Sequence, residues 1–244
     1  MSKKLFALAL LVMFTVILTA SAASAAVVLK LSNVLPDGNP TTESLVFFAE
    51  KVKEKTGGEV EVRLFNNSAL GGQREALESM QAGTLEMCMA NAGPMAQFVP
   101  TMDVLSLPYV FQSTEHMFKA LNGKAGEMIK ADIDKAGFVF LYWGDGGSRN
   151  LINNKKPITK PEDLKGLKIR VMDSRLMVNT LNAMGAIATP IAQGEVYSAL
   201  QQGVLDGWEN NPVTLLTLKL CEVSDYFSWT QHFMVPDLVL ISKQ

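Results

Sequence analysis

The alternation of strands and amphipathic helices in the first part of the chain constrains the fold most strongly. Three strand-like segments, residues 27–33, 59–65 and 85–90, are separated by two helices that begin at Pro40 and Gln73. A strand–helix–strand unit joins parallel strands, because the chain needs the length of a helix to return to the same end of the sheet. The sequence therefore predicts an α/β fold with crossover helices.

A glycine-rich bend divides this pattern from a second one. Residues 144–148, with the sequence GDGGS, lie between strand-like segments at residues 138–143 and 149–154. Glycine reaches backbone conformations that other residues avoid, so we expect the chain to change direction here. Beyond the bend the pattern continues, with a strand at residues 167–171 and a helix over residues 211–223.

The N-terminus has the pattern of an export signal. Lys3 and Lys4 precede the apolar residues 5–20, and small residues follow up to Ala25. A membrane-spanning helix needs about 20 apolar residues, whereas a shorter run followed by small residues is typical of a cleaved signal. We predict that residues 1–25 are a signal peptide and that the mature protein is periplasmic. A retained N-terminal anchor is the alternative.

The charge and composition exclude two classes of protein. Residues 1–25 contain two lysines and no acidic residue, so their removal changes the formal net charge from −2 to −4. No basic stripe remains to neutralise a phosphate backbone, which excludes nucleic acid as a partner. Hydrophobic residues make up 48% and charged residues 19% of the chain, a balance that excludes a disordered protein.

The sequence contains no recognisable metal or catalytic motif. His116 and His232 stand alone, and Cys88 and Cys221 lie far apart in apolar segments, where two buried free thiols are favoured over a disulfide. No Cys-x-x-Cys, His-Glu-x-x-His or Gly-x-Ser-x-Gly occurs, and Arg149 stands where a nucleotide-binding fingerprint would need its last glycine. We expect no metal, no cofactor and no catalytic residue.

Two arginines are candidates for binding a carboxylate. In residues 167–171 the apolar side chains share one face, so Arg170 points to the other face near the C-terminal end of the strand, where ligands bind in open α/β sheets. Arg149 follows the bend, where we expect a cleft. A guanidinium matches a carboxylate with two parallel N–H donors. Asn210 is a third candidate, and solvated surface arginines are the alternative.

Several runs of sequence, in this order, resemble one family. They are FAEKV at residues 48–52 with KTGG at 55–58, LGG at 70–72, LPY at 107–109, PEDLKGLKIRV at 161–171, GEVYSALQQG at 194–203 and DGWEN at 206–210. Together they resemble the extracytoplasmic solute-binding proteins of tripartite ATP-independent periplasmic (TRAP) transporters, of the dicarboxylate- and sialic-acid-binding DctP type. The resemblance covers essentially all of the mature chain.

The resemblance implies a fold and a set of binding residues. In this family two α/β domains with mixed sheets close over the ligand like a clamp, the architecture of periplasmic binding proteins. The family's carboxylate-binding arginine corresponds to Arg170, a second ligand contact to Arg149, and the amide that orients the acid to Asn210. The remaining candidate substrate-binding residues are Asn91, Gln193 and Asp173, which match pocket-lining positions that vary with substrate, together with Gln73 and Trp208.

The resemblance also implies domain boundaries. Domain I is expected over residues 26–146 and domain II over residues 147–235, with residues 236–244 returning to domain I as a strand. Family members normally continue past such a strand with long helices that brace both domains. The given sequence ends at Gln244, so the resemblance implies either a fragment or a truncated chain in which these helices are missing.

The expected function is capture of an organic acid anion and its delivery to a membrane permease with a small and a large subunit. The expected ligand is a sugar acid such as a uronate, for which Trp143 and Trp208 suggest a stacking face, or a dicarboxylate. The alternatives are a ligand-binding subunit of a sensor or of an ATP-driven (ABC-type) importer, and a periplasmic lyase or isomerase. An enzyme would need an acid/base pair, and Asp145, Asp173 and Glu209 show no distinctive spacing.

Overall fold

The structure, a computed structural model, describes residues 26–244, and the predicted signal peptide lies outside the described residues. The first part of the chain contains β1 (Val27–Ser32), α1 (Pro40–Lys55), β2 (Val60–Phe65), α2 (Gln73–Gln81), β3 (Met87–Asn91), α3 (Ala92–Met95), a 3₁₀ helix (Pro100–Ser106), α4 (Thr114–Leu121), α5 (Lys124–Lys135) and β4 (Phe138–Gly144). The rest contains β5 (Ser148–Asn153), a 3₁₀ helix (Pro161–Leu164), β6 (Lys168–Val171), α6 (Arg175–Ala183), β7 (Ile187–Pro190), a 3₁₀ helix (Gln193–Glu195), α7 (Val196–Gln201), β8 (Gly207–Asn210), α8 (Pro212–Thr217), a 3₁₀ helix (Leu220–Glu222), β9 (Tyr226–Met234) and β10 (Asp237–Ser242).

The strands form two five-stranded mixed sheets. The first has the order β2-β1-β3-β10-β4, in which β1 runs parallel to β2 and β3 while β10 runs antiparallel to β3 and β4. The second has the order β7-β6-β8-β5-β9, in which β6 runs parallel to β7 and β8 while β5 runs antiparallel to β8 and β9. The predicted α/β class with mixed sheets and crossover helices is confirmed.

The chain crosses between the sheets twice, and the two crossings run side by side. β4 leads to β5 through residues 145–147, and β9 leads to β10 through residues 235–236. A Cβ on Gly146 would lie 2.3 Å from the carbonyl oxygen of Val235, so only glycine fits at this approach. We call residues 26–144 and 237–244 the first lobe, and residues 148–234 the second lobe. Movement of each lobe as a separate domain, with the boundaries expected above, stays a prediction.

The largest apolar cluster draws residues from both lobes. It includes Met95 and Met102 of the first lobe together with Met177 and Phe233 of the second, all fully buried. The 3₁₀ helix over Pro100–Ser106 contacts both α6 and β9. The lobes are therefore joined by packed side chains as well as by the two crossings.

The sequence predicts helices over residues 73–81 and 124–135, and α2 and α5 have these bounds. It also predicts Asn39 as the capping residue of α1, and the Asn39 side chain accepts a hydrogen bond from the backbone N–H of Thr41. The sequence also predicts a capping box of Thr159 with Glu162 in the turn before β6, and the structure differs. The carboxylate of Asp163 instead accepts from the backbone N–H groups of Thr159 and Lys160.

Four features of residues 205–244 differ from the sequence interpretation. The helix expected over residues 211–223 ends at Thr217, because Lys219 adopts the left-handed conformation with φ of 55°. The sequence around Trp208 is typical of a turn, but residues 207–210 form the strand β8, and β9 was not predicted. Both cysteines are free, but only Cys88 is buried, since Cys221 is exposed.

Within residues 26–244, no helix has both the length and the apolar character needed to span a bilayer.

Candidate functional site

Two adjoining cavities lie between the lobes. The arginine cavity, about 330 Å³, is lined by Arg170, Asp173, Arg74 and their neighbours, and the aspartate cavity, about 350 Å³, is lined by Asp237, Asn91, Asp145, Arg149 and Asn210 among others. Four residues line both cavities: Val34, Gln73, Met172 and Gln193. The cavities therefore form one continuous cleft.

The ends of parallel strands supply the polar side chains of this cleft. Asn91 ends β3, Asn210 ends β8, and Arg170 is the penultimate residue of β6. Carboxyl ends of neighbouring parallel strands meet at one edge of a sheet, which is where open α/β sheets bind ligands. The sequence prediction for Arg170 relied on this rule, and the structure brings both Arg170 and Asn210 to the cleft.

Arg170 presents a buried positive charge to the arginine cavity. Its side chain is buried, with Nε donating to the Ile191 carbonyl oxygen at 2.7 Å and Nη1 donating to Gln193 Oε1 at 3.4 Å. Burial lowers the pKa of Arg170 to about 10, while nearby Glu209 opposes and Arg149 adds to this shift. The group is still protonated at neutral pH. Among the described residues no salt bridge involves Arg170, so its charge is available to an anion.

Arg149 is instead bound to a carboxylate of the protein. Its Nη2 donates to Glu209 Oε1 at 2.8 Å and to the Glu209 carbonyl oxygen at 2.8 Å, and its Nε donates to Glu209 Oε2. The two side chains are 4% and 0% exposed. Arg149 Nη1 donates to Asn210 Oδ1 at 3.0 Å. Most of the guanidinium therefore holds Glu209 and orients Asn210, and the direct ligand contact expected for Arg149 stays a prediction.

His232 lies near this buried ion pair. Its Nδ1 is 2.8 Å from Thr230 Oγ1, and the ring is almost fully buried. Burial lowers the pKa of His232 to about 4, with Glu209 opposing the shift and Arg149 adding to it. The imidazole is therefore neutral at physiological pH.

Three amide side chains connect the two cavities. Gln193 Oε1 accepts from Arg170 and, at 3.4 Å, from Asn210 Nδ2, while Gln193 Nε2 is buried and has no hydrogen-bond partner among the described residues. Gln73 Oε1 accepts from the backbone N–H of Asn91 at 3.0 Å. A buried N–H group without a partner is costly. Gln193 therefore offers a donor that a ligand oxygen would satisfy.

The pair of Asn91 and Asp237 forms one wall of the aspartate cavity. Asn91 Nδ2 donates to Asp237 Oδ1 at 2.9 Å, and the Asn91 Oδ1 accepts from the Gly93 backbone N–H. Burial raises the pKa of Asp237 to about 6, partly offset by the Asn91 hydrogen bond. Sequence reasoning missed Asp237, although an acidic residue opening the apolar strand β10 was a usable signal, because buried charges are rare without a role.

Trp208 and Trp143 do not line the cleft, contrary to the stacking role suggested for them. Trp208 is fully buried against Ile152, Val196 and other apolar residues of the second lobe, and Trp143 belongs to the main core. The tryptophan that lines the aspartate cavity is Trp229, which is 69% exposed. It lies on β9, the strand that the sequence did not reveal.

The two lobes touch across both ends of the cleft. Asp173, a predicted site residue, accepts from Arg74 at 3.4 Å through its carboxylate and from Gln97 at 2.9 Å through its carbonyl oxygen. Near the aspartate cavity, Asn39 Nδ2 donates to Thr217 Oγ1 at 3.0 Å. These contacts join α2 and α1 of the first lobe to the second lobe.

No acid/base pair or metal cluster emerges among the described residues. Residues 26–244 contain no group of three or more His, Cys, Asp or Glu side chains that could hold a metal ion. Of the three acids considered for catalysis, Glu209 is bound to Arg149, and Asp173 to Arg74. Asp145 accepts from the Gly147 backbone N–H. Each acid is thus engaged with a different partner.

Two mixed α/β lobes on either side of a cleft, with a buried arginine lining it, are the architecture of a periplasmic binding protein. The profile of bacterial extracellular solute-binding protein family 7 (DctP) matches residues 31–244. The chain belongs to this family.

Relatives and solved structures agree with this assignment. A solute-binding protein of Chromohalobacter salexigens is 38% identical over 211 residues, which are 86% of this chain and 63% of that protein. The TRAP periplasmic solute-binding protein of a Sulfitobacter species with bound β-D-galacturonate is 38% identical, with a TM-score of 0.86 over 88% of this chain and 72% of that one. The corresponding protein of Sulfurospirillum deleyianum with bound succinate is 36% identical, with a TM-score of 0.87 over 90% of this chain and 71% of that one. The chain thus spans less than two thirds of its curated relative.

Proposed function

We propose that the protein binds an organic acid anion in the cleft and delivers it to the membrane permease of a TRAP transporter. The single observation that carries this proposal is Arg170, a buried cation that no carboxylate of the described residues pairs with in a salt bridge. A desolvated guanidinium without a counterion is costly, and a ligand carboxylate would offset that cost. The acids bound by the two solved relatives support the same ligand class.

The proposed binding step combines capture with closure of the clamp. Arg170 Nη1 and Nη2 would receive the carboxylate, Gln193 Nε2 would donate to a ligand oxygen, and Asn210 is held in place by Arg149. The crossings at residues 145–147 and 235–236 would serve as the hinge. Contacts such as the Arg74–Asp173 pair would form only in the closed state.

The location and the partners of the protein are also part of the proposal. Membership of the family supports export to the periplasm and delivery to a small and a large permease subunit, and the sequence of residues 1–25 supports their removal as a signal peptide. No catalytic step is proposed, because the acids near the cleft are each bound to a separate partner. The solved relatives leave two ligand types, a sugar acid and a dicarboxylate.

The test compares Arg170→Ala and Arg170→Lys with the exposed control Arg63→Ala. Leaving the ligand charge unpaired in a closed cleft should cost about 3–5 kcal/mol, so Arg170→Ala should weaken acid binding at least a hundredfold. Arg170→Lys keeps the charge but loses the two parallel N–H donors. Its dissociation constant should therefore lie between those of the wild type and Arg170→Ala. Isothermal titration calorimetry with uronates, aldonates and dicarboxylates measures the dissociation constants of the three variants and the wild type. An unchanged dissociation constant in Arg170→Ala would refute the proposed site.

A further inference from the structure

We propose that the cleft selects hydroxylated monocarboxylates, such as uronates and aldonates, over dicarboxylates, and that Asp237 is the residue that determines this selectivity. The inference rests on the proposed function, since it requires that Arg170 holds a carboxylate at the other end of the cleft. It concerns the aspartate cavity, into which the rest of such a ligand extends. The charge of this cavity and the free acceptor of Asp237 carry the argument.

The aspartate cavity carries no available positive charge. Among the described residues that line it, the charged ones are Asp145, Arg149 and Asp237. Arg149 is bound through two nitrogens to Glu209, so its charge is already compensated. Asp145 and Asp237 remain, and both repel an anion. A second ligand carboxylate in this cavity would be desolvated beside like charge, which disfavours binding.

Asp237 is well suited to accept a hydrogen bond from a hydroxyl group. Its Oδ1 is held by Asn91, and no hydrogen bond among the described residues involves its Oδ2. The side chain is fixed by its position on β10, which pairs with β3 at Asn91 and with β4 at Gly144. A carboxylate held rigidly with one oxygen free accepts from a ligand O–H, and a ligand carboxylate has no proton to donate at neutral pH.

The size and shape of the cleft fit such a ligand. The aspartate cavity adds about 350 Å³ to the 330 Å³ around Arg170, and Gln73 and Gln193 lie at the junction of the two. A sugar acid has its carboxylate at one end and hydroxyl groups along the rest. The exposed indole of Trp229 on the same cavity offers a face for a sugar ring.

The experiment measures dissociation constants of the purified protein for two sets of acids. One set contains galacturonate, glucuronate, gluconate and erythronate, and the other contains succinate, fumarate and malate. For the wild type, at least one hydroxylated monocarboxylate should bind about a hundredfold more tightly than every dicarboxylate. Asp237→Asn keeps an oxygen for Asn91 but removes the charge. The substitution should weaken binding of the preferred acid about tenfold or more, because a charge-assisted hydrogen bond is lost. The ratio of the dissociation constant for succinate to that for the preferred acid should therefore decrease. The exposed control Asp225→Asn should change neither the dissociation constant for the preferred acid nor its ratio to that for succinate.

Each outcome bears on one proposal or on both. If a dicarboxylate binds the wild type as tightly as the best sugar acid, and binding still requires Arg170, the selectivity inference is wrong while the proposed function stands. The same holds if Asp237→Asn leaves the ratio unchanged. If no acid of either set binds, both proposals are wrong. The wild-type comparison tests the selectivity even if Asp237→Asn fails to fold.

Discussion

Two arginines with similar sequence signals have different environments because of a single neighbouring side chain. Arg149 and Arg170 were both predicted to contact the ligand, and both are buried at the cleft. Glu209 binds Arg149 through both carboxylate oxygens, whereas Arg170 contacts only a carbonyl and an amide oxygen. Which arginine meets Glu209 depends on the pairing of β5 with β8, and no local sequence pattern encodes that pairing.

Other residues show the same limit. The position of Arg170 followed from strand alternation and from the resemblance to a known family, and the structure agrees with it. Trp208 was assigned to the site as a stacking face for a sugar acid, yet its side chain packs against α7 in the core. Asp237 was missed because β10 reaches the cleft only by returning from the second lobe.

The buried pair predicts a large effect of Glu209→Gln on stability. Removing the carboxylate leaves Arg149 buried without its counterion, so the free energy of unfolding should fall by about 3–5 kcal/mol. Urea denaturation measures the change. Arg74→Ala, which breaks an exposed pair, should cost less than about 1 kcal/mol and serves as the control. Equal effects of the two substitutions would contradict this account of Arg149.

At the scale of elements, the sequence revealed those with strong local signals. Helices bounded by clear caps or glycines, such as α2 and α5, were predicted with the observed ends. β9 gave no clear alternation, because its pairing with β5 shifts register between Arg149 and Leu151 and Gln231 adopts a φ of 46°. Its buried polar residues Ser228 and His232 find partners only in the folded structure.

The side-by-side crossings predict that Gly146→Ala strains the hinge. The added methyl group would meet the carbonyl oxygen of Val235 at 2.3 Å, so the two crossings must separate. We expect a loss of about 1–3 kcal/mol in the free energy of unfolding, together with weaker ligand binding. In the control Gly93→Ala the new Cβ would have ordinary contacts of 3.4 Å, so this substitution should be tolerated much better. Thermal denaturation and titration calorimetry would show whether Gly146→Ala instead resembles the control.

For the whole molecule, two buried groups should have opposite effects on stability as the pH falls. Asp237 has its pKa raised to about 6, so the folded state takes up this proton before the unfolded state does, and acidification from pH 6 to 4 adds stability. His232 has its pKa lowered to about 4, so the folded state resists a proton that the unfolded state binds, and the same acidification removes stability.

Single substitutions should separate these two effects. Relative to the wild type, Asp237→Asn should become less stable as the pH falls from 6.5 to 4, and His232→Gln should become more stable. Urea unfolding at pH 7, 5.5 and 4.5 provides the comparison, and other titrating groups cancel because they are common to all three proteins. A difference between variant and wild type that does not change with pH would show that the buried group does not titrate as described.

The order in which the strands join the first sheet has a consequence for how the chain folds. A chain that emerges N-terminus first usually folds its leading domain first. Here β10 occupies the place between β3 and β4, and it follows the whole second lobe in sequence. The second lobe is continuous, so it can assemble as soon as residue 234 has emerged. The first lobe is therefore completed only after the second, and a nascent chain stopped before residue 237 would expose the unpaired edges of β3 and β4 to aggregation.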